Sequence, residues 1–144
     1  MLIKNDTNPA KESNEFVENL LIDIQTLGIK YDRVTYTSDY FPKLMEKAEE
    51  LIRDGKAYVD DTPREQMKKE RMDGIESKCR NQSVGKNLEV WKEMIAVSEA
   101  GVVCGIRGKL DMQDTNKSVR DPFFFRWNPM THHPSDPGSK VTPT

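Results

Sequence analysis

The run Lys-Ala-Tyr-Val-Asp-Asp-Thr-Pro at residues 56–63 constrains the fold of this chain more than any other stretch. It is a short apolar segment that must be extended, and it lies between two segments with the periodicity of helices. Gly55, just before it, can adopt the left-handed conformation that ends a helix. Thr62, Pro63 and Glu65 form the pattern of a capping box, which predicts a new helix with Pro63 as its first residue.

The elements upstream of this run alternate between helix and strand. They are predicted as a helix started by Asn8 and Pro9 and closed by Gly28, a strand at 33–38, a helix capped by Ser38 or Asp39 that ends at Gly55, and a strand at 57–60. Strand, helix and strand at this length are typical of a parallel α/β sheet with crossover helices. Two short strands make only part of such a sheet, and its first strand is missing or reduced to residues 2–3.

The downstream half has a more charged pattern. Its predicted elements are a charged helix at 63–81 broken near Gly74, a helix capped by Ser83 that ends near Gly101, a bulged strand within 102–112, a turn at 114–117, and a strand at 122–127 antiparallel to the previous one. Trp91 lies on the apolar stripe of the second helix, which predicts a core position. From residue 128 onward, four prolines and a glycine predict an irregular tail.

The composition is polar for a compact domain, since 35% of the 144 residues are hydrophobic and 32% are charged. This balance suggests surfaces that meet a partner, although the net charge of −2 does not indicate which one. In the helix at 63–81, six basic residues outnumber four acidic ones, and this excess could contact phosphate. The alternative is a solvated helix stabilised by pairs such as Glu65 with Lys69.

Membrane insertion and secretion are not indicated by the sequence. No apolar run approaches the roughly 20 residues that cross a bilayer. The N-terminal residues lack the basic and then apolar profile of a secretory signal. We therefore expect no membrane partner and a soluble intracellular protein.

No motif in the sequence assigns a reaction by itself. A Gly-rich phosphate loop, a paired Cys/His ligand set and the G-x-S-x-G nucleophile pattern are all absent. Cys79 and Cys104 lack the spacing of a zinc site and are interpreted as reduced thiols. Asp60 and Asp61 are neighbours on a predicted strand, so their side chains should point to opposite faces and not form an acid–base pair.

The adjacent His132 and His133, with Asp136 nearby, could suggest a metal site. Adjacent histidines beside prolines have no fixed mutual geometry, however. No metal site is therefore predicted.

Five runs of the sequence are more specific than these general patterns. They lie, in order, at residues 6–12, 36–40, 55–81, 107–112 and 120–122. Together they resemble the cytosolic glutamyl-tRNA synthetases of eukaryotes, with a plant-like character, and the similarity extends from about residue 2 to residue 144. Glutaminyl-tRNA synthetases share the shorter runs, but the amino-acid sequence of residues 72–81 favours the glutamyl branch.

The resemblance implies a class I aminoacyl-tRNA synthetase, which activates glutamate with ATP and Mg²⁺ and transfers it to the 3′ end of tRNA. In that family an inserted domain that holds the tRNA acceptor stem interrupts a Rossmann-like catalytic fold. The fold class implied here is α/β, with an incomplete Rossmann-like half in residues 1–62 and part of an α+β acceptor-stem-binding insertion in residues 63–144.

The resemblance also implies which residues meet the tRNA acceptor stem. The positions are Lys68, Lys69 and Arg71 on the charged helix, and Arg107 and Lys109 beyond it. A basic helix after the last strand of the first half is suitably charged to meet phosphates.

The sequence departs from the family at the residues that carry the chemistry. The His-Ile-Gly-His signature and the Lys-Met-Ser-Lys-Ser loop are absent, so no catalytic residue is assigned, and ATP and Mg²⁺ are not expected to bind well. The family has Arg-Phe-Asp-Asp before Thr-Asn-Pro, and its first Asp binds the amino group of the amino acid. Asn5 and Asp6 are therefore the candidate substrate-binding residues, with Asn5 replacing a carboxylate by a neutral amide.

Two hypotheses about function follow. The first is a fragment of a glutamate–tRNA ligase that lacks catalytic activity by itself, with tRNA and glutamate as the partners of the full-length family. The second is a non-catalytic module that binds the tRNA acceptor end, or the relic of a duplicated synthetase gene. A third, purely structural alternative is a fragment that binds nothing and is partly unfolded.

Overall fold

The computed structural model describes residues 1–4, 14–128 and 141–143. The chain forms two sheets and four α-helices in these residues. In order, the elements are β1 (Leu2–Lys4), α1 (Asn14–Thr26), β2 (Val34–Tyr36), a 3₁₀ turn (Ser38–Tyr40), α2 (Phe41–Arg53), β3 (Ala57–Asp60), α3 (Arg64–Asp73), α4 (Val84–Ile95), β4 (Gly105–Gly108), a second 3₁₀ turn (Lys117–Val119), β5 (Phe123–Trp127) and β6 (Val141–Pro143).

One sheet is parallel and small, and the other is antiparallel. Strand β1 pairs with β2 in parallel, with Ile3 opposite Thr35. Strands β3, β4, β5 and β6 form a four-stranded antiparallel sheet in that order. The observed fold is therefore mixed α/β, as expected at that coarse level.

The expectation that residues 57–60 extend the parallel sheet is wrong. Strand β3 pairs antiparallel with β4, with Val59 opposite Ile106. All four residues of β3 are buried. Its apolar run therefore predicts a buried strand correctly, but such a run does not indicate which strand pairs with it. The division of the chain at residue 62 remains a prediction, and the β3–β4 pairing joins residues on both sides of it.

The downstream strands agree better with the sequence. Strands β4 and β5 are antiparallel, and their register shifts between Ile106 and Arg107 as expected of a bulged strand. The predicted irregular tail is wrong at β6, which pairs with β5. The rest of that tail, including His132, His133 and Asp136, lies outside the described residues.

Several helix boundaries confirm the local patterns. Gly55 and Gly74 follow α2 and α3 with φ of 69° and 72°, the left-handed conformation that ends helices. The Ser83 hydroxyl accepts a hydrogen bond from the Lys86 amide and caps α4 as predicted. The predicted helix starts at Asn8 and Pro9 fall outside the described residues.

Other boundaries differ from the prediction because a side chain has a competing partner. The capping box is absent: α3 begins at Arg64 and Pro63 precedes it without a side-chain cap. The Thr62 hydroxyl instead donates to Asp60 Oδ1 at 2.6 Å. Likewise Tyr40, rather than Ser38 or Asp39, precedes α2, since Asp39 accepts from the Tyr36 amide at 2.9 Å.

Two predicted helices differ in their ends. Helix α3 ends at Asp73, at the break predicted near Gly74, and the residues from there to 81 form no further helix. Helix α4 ends at Ile95, well before Gly101.

The core lies between α2, α4 and one face of the antiparallel sheet. Ile52, Met94 and Ile106 are 0% exposed. Trp91 is 1% exposed and meets Phe125 edge to face with ring centroids 6.1 Å apart, which confirms its predicted core position. This packing holds the antiparallel sheet in position, and α3 and the loops around it lie beside that sheet.

Candidate functional site

A cleft of about 510 Å³ lies between α3, the segment before β4 and strand β5. Its described lining combines cationic side chains with apolar and aromatic ones. The cationic groups are Arg64, Lys68, Arg71 and Arg126, and the apolar groups include Met67, Val103, Phe123 and Trp127. Phosphates pair with the first kind of group, and flat bases stack on the second.

A second, shallower hollow of about 370 Å³ lies beside this cleft. Its described lining consists of Lys68, Arg71, Met72, Lys117 and Ser118. Lys68 and Arg71 line both spaces. These two predicted contact residues are therefore close together, where the two spaces meet.

The guanidinium of Arg71 is fixed by backbone carbonyls. Its Nε donates to Arg120 O at 2.8 Å, and its Nη2 donates to Lys117 O at 3.0 Å. Burial, and then repulsion from Arg107, lower the pKa of Arg71 below its ordinary value. An arginine nevertheless stays protonated at neutral pH, so Arg71 presents a fixed positive charge.

Lys68 and Lys69 are exposed on the first two turns of α3. Lys68 Nζ lies 2.9 Å from Glu65 Oε1, and the two side chains are 53% and 83% exposed. Such an exposed pair is weak and yields readily to a phosphate. The pair expected between Glu65 and Lys69 is replaced by this one, and Lys69 has no partner among the described residues.

Arg107 does not lie at the surface. It is 0% exposed, and its Nη1 is 2.6 Å from Asp60 Oδ2. Its guanidinium also lies 5.5 Å from the Tyr58 ring centroid and 5.7 Å from that of Phe123. Because it is enclosed and paired, Arg107 cannot meet a phosphate in this conformation, which contradicts its expected tRNA contact.

The remaining predicted site residues are separate from the cleft or outside the described chain. Lys109 is half-buried, and its Nζ donates to Asn81 Oδ1 at 3.0 Å. Lys109 does not line either cationic space. Asn5 and Asp6 lie outside the described residues.

Comparison with known proteins decides the family. Residues 1–144 match the family described as tRNA synthetases class I (E and Q), catalytic domain. This chain belongs to that family. The resemblance read from its sequence is confirmed.

Among its relatives, this class I synthetase chain is 69% identical over 139 residues to the cytoplasmic glutamate–tRNA ligase of Arabidopsis thaliana. It is 46% identical over 140 residues to the protein of the same name from Saccharomyces cerevisiae, and 48% identical over 139 residues to the bifunctional glutamate/proline–tRNA ligase of Mus musculus. Each comparison covers 96% of this chain, but only 19%, 20% and 9% of the respective relatives.

A buried ion network in this synthetase chain was missed by the sequence reasoning. Asp121 is 0% exposed and accepts hydrogen bonds from Tyr58 Oη at 3.1 Å, Arg80 Nε at 2.7 Å and the Leu110 amide at 2.8 Å. Its carbonyl accepts from Arg107 Nε at 2.9 Å. The network links β3, β4 and the turn before β5, and so connects strands that lie beside the cleft.

Asp60 completes this network at the base of the cleft. Burial by itself raises the pKa of Asp60, but hydrogen bonds from Thr62 and Arg107 outweigh it and lower that pKa below 3.8. Asp60 is therefore a carboxylate whose oxygens already have donors, and it adds no free negative charge to the cleft.

Asp60, Asp61 and Cys79 are closer than strand alternation predicted. One possible ligand atom from each lies within 4.8 Å of the others, because Asp61 follows the end of β3 and is free of its pleat. Their atoms are already engaged, however: Ser77 Oγ donates to Asp60 at 3.0 Å, and Lys78 pairs with Asp61 at 3.1 Å. The arrangement is an ordinary hydrogen-bonded cluster.

Cys79 and Cys104 are free and buried, which confirms their interpretation as reduced thiols. Burial raises the pKa of the Cys104 thiol to about 11, so little of it is the reactive thiolate at neutral pH. In the described part of the chain, no helix has the length and apolar character needed to cross a membrane.

The sequence reasoning also missed cleft residues. Arg126 was read as part of a strand, although its place in Phe-Phe-Phe-Arg-Trp puts it on the face opposite Phe125. Of the residues that line the second hollow, Lys117 was read only as the end of a turn at 114–117, and Ser118 was not assigned. Arg64, by contrast, was counted among the basic residues of its helix without being singled out.

Proposed function

We propose that this chain is the part of a glutamate–tRNA ligase that helps to hold the acceptor end of tRNA. The full reaction would attach glutamate to tRNA at the expense of ATP. The named relatives are glutamate–tRNA ligases, and the chain spans about a fifth of the length of each of these two. The complete activity therefore belongs to a longer polypeptide.

The observation that carries this proposal is the pairing of cationic and aromatic groups in one cleft. Arg71 is held in place, and Lys68 has only a weak exposed partner. Both can replace the counterions of a nucleic-acid backbone. Phe123 and Trp127 line the same cleft. The guanidinium groups of Arg107 and Arg126 already lie over the Phe123 ring, at 5.7 and 5.6 Å from its centroid, so Trp127 is the side chain proposed to stack on an unstacked base of a 3′ end.

The family implies ATP and Mg²⁺ for the full-length enzyme. Mg²⁺ prefers oxygen ligands in octahedral geometry. Among the described residues, the one cluster of three potential ligands contains a thiol, and its carboxylates already have donors. These residues do not fit Mg²⁺, and we assign no step of glutamate activation to them.

We also infer a cytoplasmic location and a division of the chain near residue 62 into a catalytic half and an acceptor-binding insertion. The relatives from Arabidopsis and yeast are named as cytoplasmic. The change from a parallel to an antiparallel sheet supports two structural units, but it falls between β2 and β3, upstream of residue 62. Asn5 and Asp6 remain proposed contacts for glutamate.

A salt-dependent binding measurement tests the proposal. The full chain is titrated into labelled tRNA at several salt concentrations, and fluorescence anisotropy gives the affinity. A Lys68→Ala/Lys69→Ala variant should bind more weakly, and the slope of log affinity against log salt should fall by about 1 for each lost phosphate contact. Lys92→Ala, which removes an exposed cation from α4, is the matched control.

Equal slopes for the wild type and the Lys68/Lys69 variant would contradict the proposed surface. ATP–pyrophosphate exchange distinguishes the two functional hypotheses at the level of the longer protein. We expect none from this chain alone, since the signature motifs are absent. A longer polypeptide that contains it should show glutamate-dependent exchange, whereas a non-catalytic acceptor-binding module should not.

A further inference from the structure

Arg71 and Arg120 connect the end of α3 to the loop before β5. The side chain of each donates a hydrogen bond to the backbone carbonyl of the other. Arg71 Nε donates to Arg120 O at 2.8 Å. In return, Arg120 Nη1 donates to Arg71 O at 2.9 Å and to Met72 O at 2.8 Å. These two carbonyls lie in the last turn of α3, where no intrahelical donor is available to them.

The reciprocal bonds leave one part of Arg71 available. Its Nε and Nη2 are engaged by the loop, with Nη2 3.0 Å from Lys117 O and 3.4 Å from Ser118 O. No hydrogen bond within the described residues uses its Nη1. Because Arg71 lines both cationic spaces, this nitrogen is the one suited to an incoming anion.

The loop that holds Arg71 is itself ordered by local hydrogen bonds. Asp114 Oδ1 accepts from the Asn116 amide at 2.7 Å, and Asn116 Oδ1 accepts from the Ser118 amide at 3.0 Å. Arg120 Nε donates to Asp114 O at 2.7 Å and closes the loop. The carbonyl groups that accept hydrogen bonds from Arg71 are therefore held in fixed positions.

We propose that Arg120 is a positioning residue for Arg71 in RNA binding. Among the described residues, every hydrogen bond of its guanidinium goes to a backbone carbonyl of α3 or of its own loop, so its charge is turned inward. Arg120 thus holds the end of α3 and offers the carbonyl that orients Arg71, which in turn contacts a phosphate. The inference rests on the proposed function, because it assumes that Arg71 meets the RNA backbone.

The positioning role of Arg120 needs the planar guanidinium group of an arginine, and a positive charge alone is not enough. Arg120 reaches three carbonyls from two nitrogens. A lysine has the same charge but a single ammonium on a flexible stem, so it cannot reproduce that set of bonds. Arg120→Lys therefore separates positioning from direct electrostatic contact.

The test measures binding of the full chain to an RNA hairpin with a single-stranded 3′ end. Arg71→Ala should weaken binding by about tenfold, as expected for a lost charged hydrogen bond. Arg120→Lys should weaken it by a similar factor and lower the salt slope by about 1, although no charge has been removed. The double variant should bind no more weakly than Arg71→Ala alone. Arg53→Lys on α2 is the matched control and should bind like the wild type.

Three results would overturn the inference. Wild-type affinity in Arg120→Lys would show that charge at this position suffices. Losses that multiply in the double variant would show a general structural effect that does not act through Arg71. Wild-type affinity in Arg71→Ala would remove the proposed RNA contact itself, and with it the role of Arg120. Thermal melting of each variant identifies a loss of binding that only reflects unfolding.

Discussion

The apolar side chains in the two sheet regions of this chain are exposed to very different degrees. Around the parallel pair β1–β2, apolar side chains are open to solvent: Ile22, Leu27 and Ile29 are 57%, 75% and 53% exposed. Around the antiparallel sheet, Ile52 and Ile106 are fully buried. A sheet of two parallel strands has too little surface to cover both of its faces, whereas four strands with α2 and α4 enclose a core.

Within the antiparallel part, buried and exposed charges are paired differently. Asp60, Arg107 and Asp121 are all at most 2% exposed. The ion pairs on the outer face of α2, such as Lys47 with Glu50, have both side chains 59% exposed. Buried charges are costly to leave unpaired, while exposed pairs contribute little. The stability of this part should therefore depend on its buried network more than on its surface pairs.

The largest effect should come from breaking the buried ion pair. Arg107→Ala removes the partner of Asp60 and leaves a buried carboxylate with one donor fewer. We expect a loss of about 3–5 kcal/mol in the free energy of unfolding, measured by urea denaturation. Combining Arg107→Met with Asp60→Asn should restore part of it, because no unpaired charge remains. A loss below about 1 kcal/mol in the single variant would show that the network contributes little.

A pair of matched truncations compares the two parts directly. Ile52→Ala in α2 should cost about 2–5 kcal/mol, because it opens a cavity in the core. Leu27→Ala, after α1, should cost less than about 0.5 kcal/mol, because the side chain is already solvated. Both are measured from denaturation midpoints at constant slope. Equal costs would mean that Leu27 is buried in solution and that the contrast is wrong.

The sequence predicted the features that depend on neighbouring residues. The helix stops at Gly55 and Gly74 follow from the freedom of glycine at positive φ, and the Ser83 cap follows from a hydroxyl beside unpaired amides. The antiparallel arrangement of β4 and β5 was also predicted. These features need no information about distant parts of the chain.

The features that it missed depend on contacts across the fold. Strand β3 finds its partner β4 almost fifty residues later, and periodicity does not carry that information. Thr62 was expected to cap a helix, but the Asp60 carboxylate is a stronger competitor. Arg107 was expected to contact tRNA because the family resemblance implied it, and its bonds to the Asp60 carboxylate and the Asp121 carbonyl explain its burial.

Acid should weaken the antiparallel part through Asp60. The pKa of this carboxyl is lower in the folded chain than its ordinary value of 3.8, so its contribution is present above that value and is lost as the pH falls through the folded pKa. Near pH 3 the stability should fall by at most about 1.4 kcal/mol per pH unit for this group. Asp60→Asn should flatten this part of the profile, measured by urea denaturation from pH 2 to 6. An unchanged slope in the variant would assign the acid sensitivity to other carboxyls.

The smallest expected effect concerns a local strain within the well-packed part. Val97 follows α4 with φ of 56°, although a β-branched residue is disfavoured in the left-handed region. It stays there because its amide bonds Met94 O at 3.1 Å and the Ser98 amide bonds Glu93 O at 3.1 Å, the pattern that closes a helix at a left-handed residue.

Val97→Gly and Val97→Ala lose the same side-chain contacts beyond Cβ, but only glycine adopts this conformation without steric cost. We expect the glycine variant to be the more stable of the two by about 1 kcal/mol in thermal or urea unfolding. Equal stability would mean that the chain relaxes at residue 97 when the valine is removed. The buried contacts of α4 would then leave its C-terminal turn free to move, and the stability inferred for the antiparallel part would not extend to this turn.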